Sequence, residues 1–136
     1  MEIATGYFAK AKQYAERGYA LVSIARVAPW FIAKEFKVYP LEELAPTDEI
    51  LALKDKTSEY TKRYTAEILK KLDPIRIMSS LSLIARQEGV NKVVLMCYES
   101  PEKFCHRHIV ADWIEKNLGL AVSEVAFEDS LFDKAE

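Results

Sequence analysis

Four apolar runs punctuate the chain, and the stretches between them repeat at helical spacing. Glu2 to Thr5 is a short, largely apolar patch ending at Gly6, which predicts a brief first strand. Tyr19 to Ala25, YALVSIA, is too short and too rich in β-formers for a helix. It predicts a second strand buried on both faces, as parallel strands usually are. Lys92 to Tyr98 and Ala121 to Phe127 predict a third and a fourth. Between the first two runs, Tyr7, Ala11, Tyr14 and Ala15 fall on one helical face, and Gly18 ends the pattern. Thr47 or Asp48 can cap a short helix through about Lys54, and Thr57 or Ser58 the next, with Tyr60, Tyr64, Ile68 and Leu72 as its apolar stripe. Asp73-Pro74 joins an N-cap to a proline at the first helical position. It starts a helix whose buried face is Ile77, Met78, Leu81, Ile84 and Ala85 and which stops at Gly89. A last helix is expected from near Glu102 to Leu118, closed by Gly119. The tail from Glu128 is acidic and expected to fray.

One segment resists this parsing. Arg26 to Pro46 holds Pro29, Pro40 and Pro46 with Trp30, Phe31, Phe36 and Tyr39, and has no sustained period. Its aromatics argue against disorder. Two readings stand open: a loop tucked onto the core by those rings, or a lid over a site.

Alternating strands and helices predict one three-layer α/β domain over residues 1–136, with about four mainly parallel strands in a Rossmann- or flavodoxin-like arrangement. Placing strands one and three side by side, flanked by two and four, gathers Gly6, Arg26 and Glu99 in one crevice.

Composition narrows the function classes. Half the residues are hydrophobic and 29% charged, the balance of an ordinary globular chain. A net charge of -2 gives no electrostatic reason to expect nucleic acid. Two cysteines do not make a disulfide scaffold, so a reducing cytoplasm is the simpler setting. The amino terminus lacks a signal peptide's apolar core, and no apolar run approaches membrane-spanning length. A homodimer stays open.

Chemistry concentrates where the third strand runs into the last helix. Cys97, Glu99, Cys105, His106, Arg107 and His108 fall within twelve positions. Three readings compete. In the first, the helix start attracts negative charge, Arg26 and Arg107 clamp a phosphate or carboxylate, and Glu99 and His106 serve as acid or base. In the second, Cys105 is a nucleophile activated by the helix terminus and a neighbouring base. Its alternative is an inert buried thiol, which is also the reading taken for Cys97. The third is a metal site. Cysteines eight apart do not fit zinc spacing, and adjacent helical residues such as Cys105 and His106 would diverge by about 100°. No metal and no cofactor are therefore expected, and His108 is read as solvated.

The segments SIARVAPWF and LMCYESPEKFCHRHIVADWI resemble the family catalogued as domain of unknown function 488. Its members carry a Thr-Ile-Gly-like opening, an arginine after the second strand and a C-x-E…C-H-R signature. The corresponding residues here are Ala4-Thr5-Gly6, Arg26, Cys97-Tyr98-Glu99 and Cys105-His106-Arg107. Tyr39, Leu44-Ala45-Pro46 and the Tyr60/Tyr64 pair resemble features of shorter members, and Tyr7 stands close to where longer members continue Gly-His-Ser. The resemblance implies a compact α/β domain and supplies no substrate. The leading expectation is an enzyme acting on a small anionic, nucleotide- or sugar-phosphate-like molecule. Glu99, His106 and Cys105 would carry the chemistry, and Gly6, Arg26, Arg107 and Tyr64 the binding. The rival is a non-catalytic ligand-binding or interaction module using the same pocket, in which Glu99 and Arg26 form a structural pair.

Overall fold

The computed structural model describes residues 1–127, so the acidic tail lies outside the described residues. Five strands form one parallel sheet: β1 (Glu2–Tyr7), β2 (Ala20–Ser23), β3 (Val38–Pro40), β4 (Lys92–Cys97) and β5 (Ser123–Glu124). Their order is β3-β2-β4-β1-β5. The first and third apolar runs, now β1 and β4, lie side by side over six registered pairs from Glu2↔Lys92 to Tyr7↔Cys97. The second and fourth runs flank them, as expected.

Helices α1 (Ala11–Glu16) and α2 (Trp30–Glu35) cover one face. Helices α3 (Asp48–Leu51), α4 (Thr57–Glu67), α5 (Pro74–Glu88) and α6 (His106–Leu118) cover the other. Strand alternation sorts the core accordingly. Val93 and Leu95 pack with Tyr64, Leu81, Val110 and Ile114 on the α4–α6 side. Val94 and Met96 pack with Phe8, Ala11, Tyr14 and Ile32 on the other. The same alternation turns Cys97, at the end of β4, toward α6. This doubly covered parallel sheet is Rossmann- or flavodoxin-like.

The start and stop signals act as their chemistry predicts. Thr47 accepts the Ile50 amide at 3.2 Å and Asp73 the Ile75 amide at 2.9 Å. Gly89 ends α5 in the left-handed region at φ 69°.

Three expectations need correction. Arg26 to Pro46 is not a structureless loop: it contains α2 and the edge strand β3, which pairs Val38–Pro40 with Leu21–Ser23. Three residues are too few to show a period, and Pro40, which has no N–H to donate, suits only an edge. Trp30 and Phe31 are exposed rather than tucked. The Tyr60 stripe stops being α-helical at Glu67 and continues as a 3-10 turn over Leu69–Lys71. Helix α6 begins at His106, four residues later than the pattern suggests. Ser100 takes the intervening residues into a turn: its carbonyl accepts the Lys103 amide at 3.0 Å and its hydroxyl donates to Glu102 at 2.8 Å.

Gly6 serves packing rather than the crevice. A Cβ there would lie 2.5 Å from the Tyr14 ring and hydroxyl. That ring is fully buried, and its hydroxyl accepts the Tyr7 amide at 3.1 Å, so it has no room to retreat. Gly6→Ala should therefore lower the free energy of unfolding by about 1–3 kcal/mol, the usual range for overpacking, as read from denaturant midpoints.

Candidate functional site

One cavity of about 440 Å³ opens beyond the carboxyl ends of β2 and β4. Arg26 and Val27 reach it from the segment after β2, and Asp48 and Lys54 from α3 and the turn after it. Tyr60 contributes from α4, Glu99 and Phe104 from the turn after β4, and Cys97, Cys105 and His106 form the end nearest the sheet. Arg26 and Glu99 thus share a crevice but are not paired. Arg26 bonds Asp48 at 2.6 Å, with its side chain 42% and that of Asp48 85% exposed. An ion pair that open to water contributes at most about 1 kcal/mol, so a ligand can displace it cheaply.

Arg107 does not face this cavity. It is fully buried and forks onto Glu124, Nε to Oε1 at 3.0 Å and Nη2 to Oε2 at 3.1 Å. Its Nη1 donates to the Glu99 carbonyl at 2.7 Å and the Cys97 sulfur at 3.0 Å. With α6 starting late, Arg107 falls in the first turn, and the side chain reaches back under the β4–α6 turn. Glu124 also accepts the Thr5 hydroxyl at 2.6 Å. Arg107 therefore ties β4, α6, β5 and β1 together; the expected anion clamp is a strut.

His106 is buried, and its Nε2 lies 2.6 Å from the Ile24 carbonyl. A carbonyl only accepts, so Nε2 carries the proton and Nδ1 presents its lone pair. Nδ1 stands 3.7 Å from the Cys105 sulfur. Burial, aided by the neighbouring Arg107 and His108, pushes the imidazole pKa down to about 4, so it is neutral at pH 7. Cys105 is the N-cap of α6 in extended backbone, φ -153° and ψ 146°, and not a helical residue. Its side chain therefore escapes the divergence of about 100° expected of adjacent helical residues and converges on that of His106. The Cys97 and Cys105 sulfurs are bonded to each other, with Cα atoms 7.3 Å apart.

A family model described as the active DUF488-N3 subclade, DUF488-N3a, matches residues 7–118. The chain belongs to the DUF488 family. No curated protein and no solved structure matches it. The matched span of this DUF488 domain holds Arg26, the whole β4–α6 segment and both cysteines, and stops short of Gly6.

Of the residues read from the sequence, the cavity brings together Arg26, Glu99, Cys105 and His106. It does not include Gly6, Arg107 or Tyr64. Tyr64 lies behind the cavity, its hydroxyl donating to the Leu44 carbonyl at 2.5 Å and its ring 5.5 Å from that of His106. His108 is half-buried rather than solvated, with an Nε2 that has no partner among the described residues. Sequence reasoning read Cys97 as an inert buried thiol and passed over Lys54 at the cavity and Glu124 behind it. A signal for Glu124 was available, because it is the single charge inside AVSEVAF.

Two predictions follow from this wiring. Arg107→Lys keeps the charge but loses the fork, and should lower the unfolding free energy by about 2–3 kcal/mol in chemical denaturation. That is somewhat less than the roughly 3–5 kcal/mol expected when one partner of a buried pair is removed outright. The second concerns pH. The native state refuses a proton at His106 down to about pH 4, whereas an unfolded histidine accepts one near its ordinary value of 6.5. The unfolded state binds more protons in that window, so stability is full above about 6.5 and falls as pH drops toward about 4. His108, also lowered by burial, adds in the same direction. His106→Gln, whose amide can still donate to Ile24, should flatten the slope of melting temperature against pH over this window in metal-free buffer.

Proposed function

We propose that this DUF488 domain is an enzyme acting on a small anionic molecule of nucleotide- or sugar-phosphate-like character, held at the carboxyl ends of β2 and β4. The single observation that carries the reading is the shared lining of one cavity by Arg26, Lys54, Glu99, Cys105 and His106. Arg26 and Lys54 supply positive charge, and the first turn of the 13-residue α6 supplies amides that the Cys105 side chain does not cap. Glu99 is the group for proton transfer. It sits half-buried at the cavity wall, and its carboxylate enters no hydrogen bond or ion pair among the described residues. His106 serves a different purpose from a freely titrating base: its proton is committed to Ile24 and its lone pair to the Cys105 side. The description of the matching subclade as active agrees with catalysis. A reducing cytoplasm, which would hold Cys97 and Cys105 as thiols, is the setting proposed.

The partner is a small anion rather than nucleic acid, in keeping with the net charge of -2. The rival, a binding module without turnover, is separated by Glu99. A panel of nucleoside mono- and diphosphates and sugar phosphates, tested by calorimetry and by product analysis, decides between them. Arg26→Ala should weaken binding of the responding compound by about tenfold, the worth of one charged hydrogen bond, with little change in melting temperature. Glu99→Gln should keep binding and lower turnover by at least about 100-fold. Binding with no turnover in the wild type would leave the module. No anion binding at all would end the proposal.

A further inference from the structure

We infer that the sheet-side end of the cavity is a binding site for a thiophilic divalent cation, zinc above all, with Cys97, Cys105 and the Nδ1 of His106 as ligands. The three donor atoms lie within 4.8 Å of one another, and all three residues line the cavity. Two sulfurs and one imidazole nitrogen form a set that zinc favours when a fourth position is left open for water or substrate. All three residues line the cavity, from which water or substrate would reach that fourth position.

The sulfur-to-nitrogen distance agrees. Zinc–sulfur bonds of about 2.3 Å and zinc–nitrogen bonds of about 2.0–2.1 Å, set tetrahedrally, hold sulfur and nitrogen roughly 3.6 Å apart. Cys105 Sγ and His106 Nδ1 are 3.7 Å apart. The Cα atoms of Cys97 and Cys105 are 7.3 Å apart. The two sulfurs are bonded to each other in this structure, whereas two thiolates on one zinc stand further apart. Reduction of the pair and an outward swing of the two side chains open that gap.

The surroundings are those of a metal centre. Ligating histidines commonly donate their second ring N–H to a carbonyl or carboxylate, which fixes the ring and the tautomer. His106 does so, Nε2 to the Ile24 carbonyl at 2.6 Å, and Tyr64 packs against its ring. A metal-bound cysteine is a thiolate, and the buried Arg107 donates to Cys97 Sγ at 3.0 Å. Zinc binding would release two thiol protons, and the cation would meet two thiolates and one neutral imidazole. The eight-residue spacing that argued against a metal is bridged because the turn at Ser100–Lys103 folds Cys105 back over the end of β4.

This inference stands apart from the anion reading, since zinc uptake is measured with no anion present and either can fail alone. The test uses the full chain, reduced with a phosphine, desalted anaerobically and loaded with zinc or with cobalt(II). We expect one zinc per chain by elemental analysis. With cobalt we expect tetrahedral visible bands and a thiolate-to-cobalt band in the near ultraviolet. Cys97→Ser and Cys105→Ser should each weaken binding by more than the roughly 10- to 100-fold that loss of an outer partner costs. Oxidation to the disulfide should release the metal. If a serine variant does not fold, the cobalt spectrum of the reduced wild type decides. Folded, reduced wild type that takes up no zinc, or cobalt bound without a thiolate band, would overturn the inference. So would zinc retained undiminished by both serine variants.

Discussion

A guanidinium with no water around it has to find all its partners inside the protein, and Arg107, on α6, finds them on three strands. It reaches the carboxylate of Glu124 on β5, the Glu99 carbonyl and Cys97 sulfur at the end of β4, and stands 5.9 Å from the Tyr7 ring at the end of β1. Glu124 is itself held by Thr5. A two-residue edge strand has little apolar area of its own to hold it, so this charge network carries what packing cannot. Burying the pair does not stabilise the fold much in net terms, but losing one partner leaves an uncompensated charge in the interior. The geometry around it is accordingly specified rather than merely tolerated.

The site inherits that specification. By holding the Glu99 carbonyl and the Cys97 sulfur, Arg107 sets the turn between β4 and α6 from below. Ser100 sets it from above by taking Lys103 into a turn, which leaves Cys105 extended as the N-cap and lets α6 begin at His106. Cys105 and His106 then converge although they are adjacent in sequence. Ile24, just past β2, fixes the histidine ring from the neighbouring strand. Glu99 is thereby presented to the cavity from a turn whose backbone is anchored while its side chain is left available. Fixed backbone beneath such a carboxylate is what the proposed proton transfer by Glu99 would need.

Much of this was legible in the chain. The buried runs of β2 and β4 and the caps at Thr47 and Asp73 are local signals with local causes, and the structure follows them. The adjacency of β1 and β4 follows from placing the site at a switch point of the sheet, and the turn after β4 is where the chemistry gathers. What escaped depends on contacts distant in sequence. Val38–Pro40 is a strand only because β2 offers it an edge, and three residues carry no period. Arg107 looked like a surface clamp because its partner Glu124 lies 17 residues on, across a helix and a loop. The start of α6 was misplaced by four residues, and that shift alone turned Cys105 from a helical residue pointing away from His106 into a neighbour at 3.7 Å. Boundary errors matter most where chemistry sits at the boundary.

Arg107 and Glu124 act as one unit that holds the ends of β4 and β5 to α6. A double-mutant cycle tests this most directly, because it removes the separate effects of each truncation. Unfolding free energies would be measured for the wild type, Arg107→Met, Glu124→Gln and the double variant. The account predicts strong coupling: the double variant should be less destabilised than the sum of the singles by at least about 1.5 kcal/mol, within the range for contacting charged pairs. Effects that add to within about 0.5 kcal/mol, as for independent sites, would contradict it.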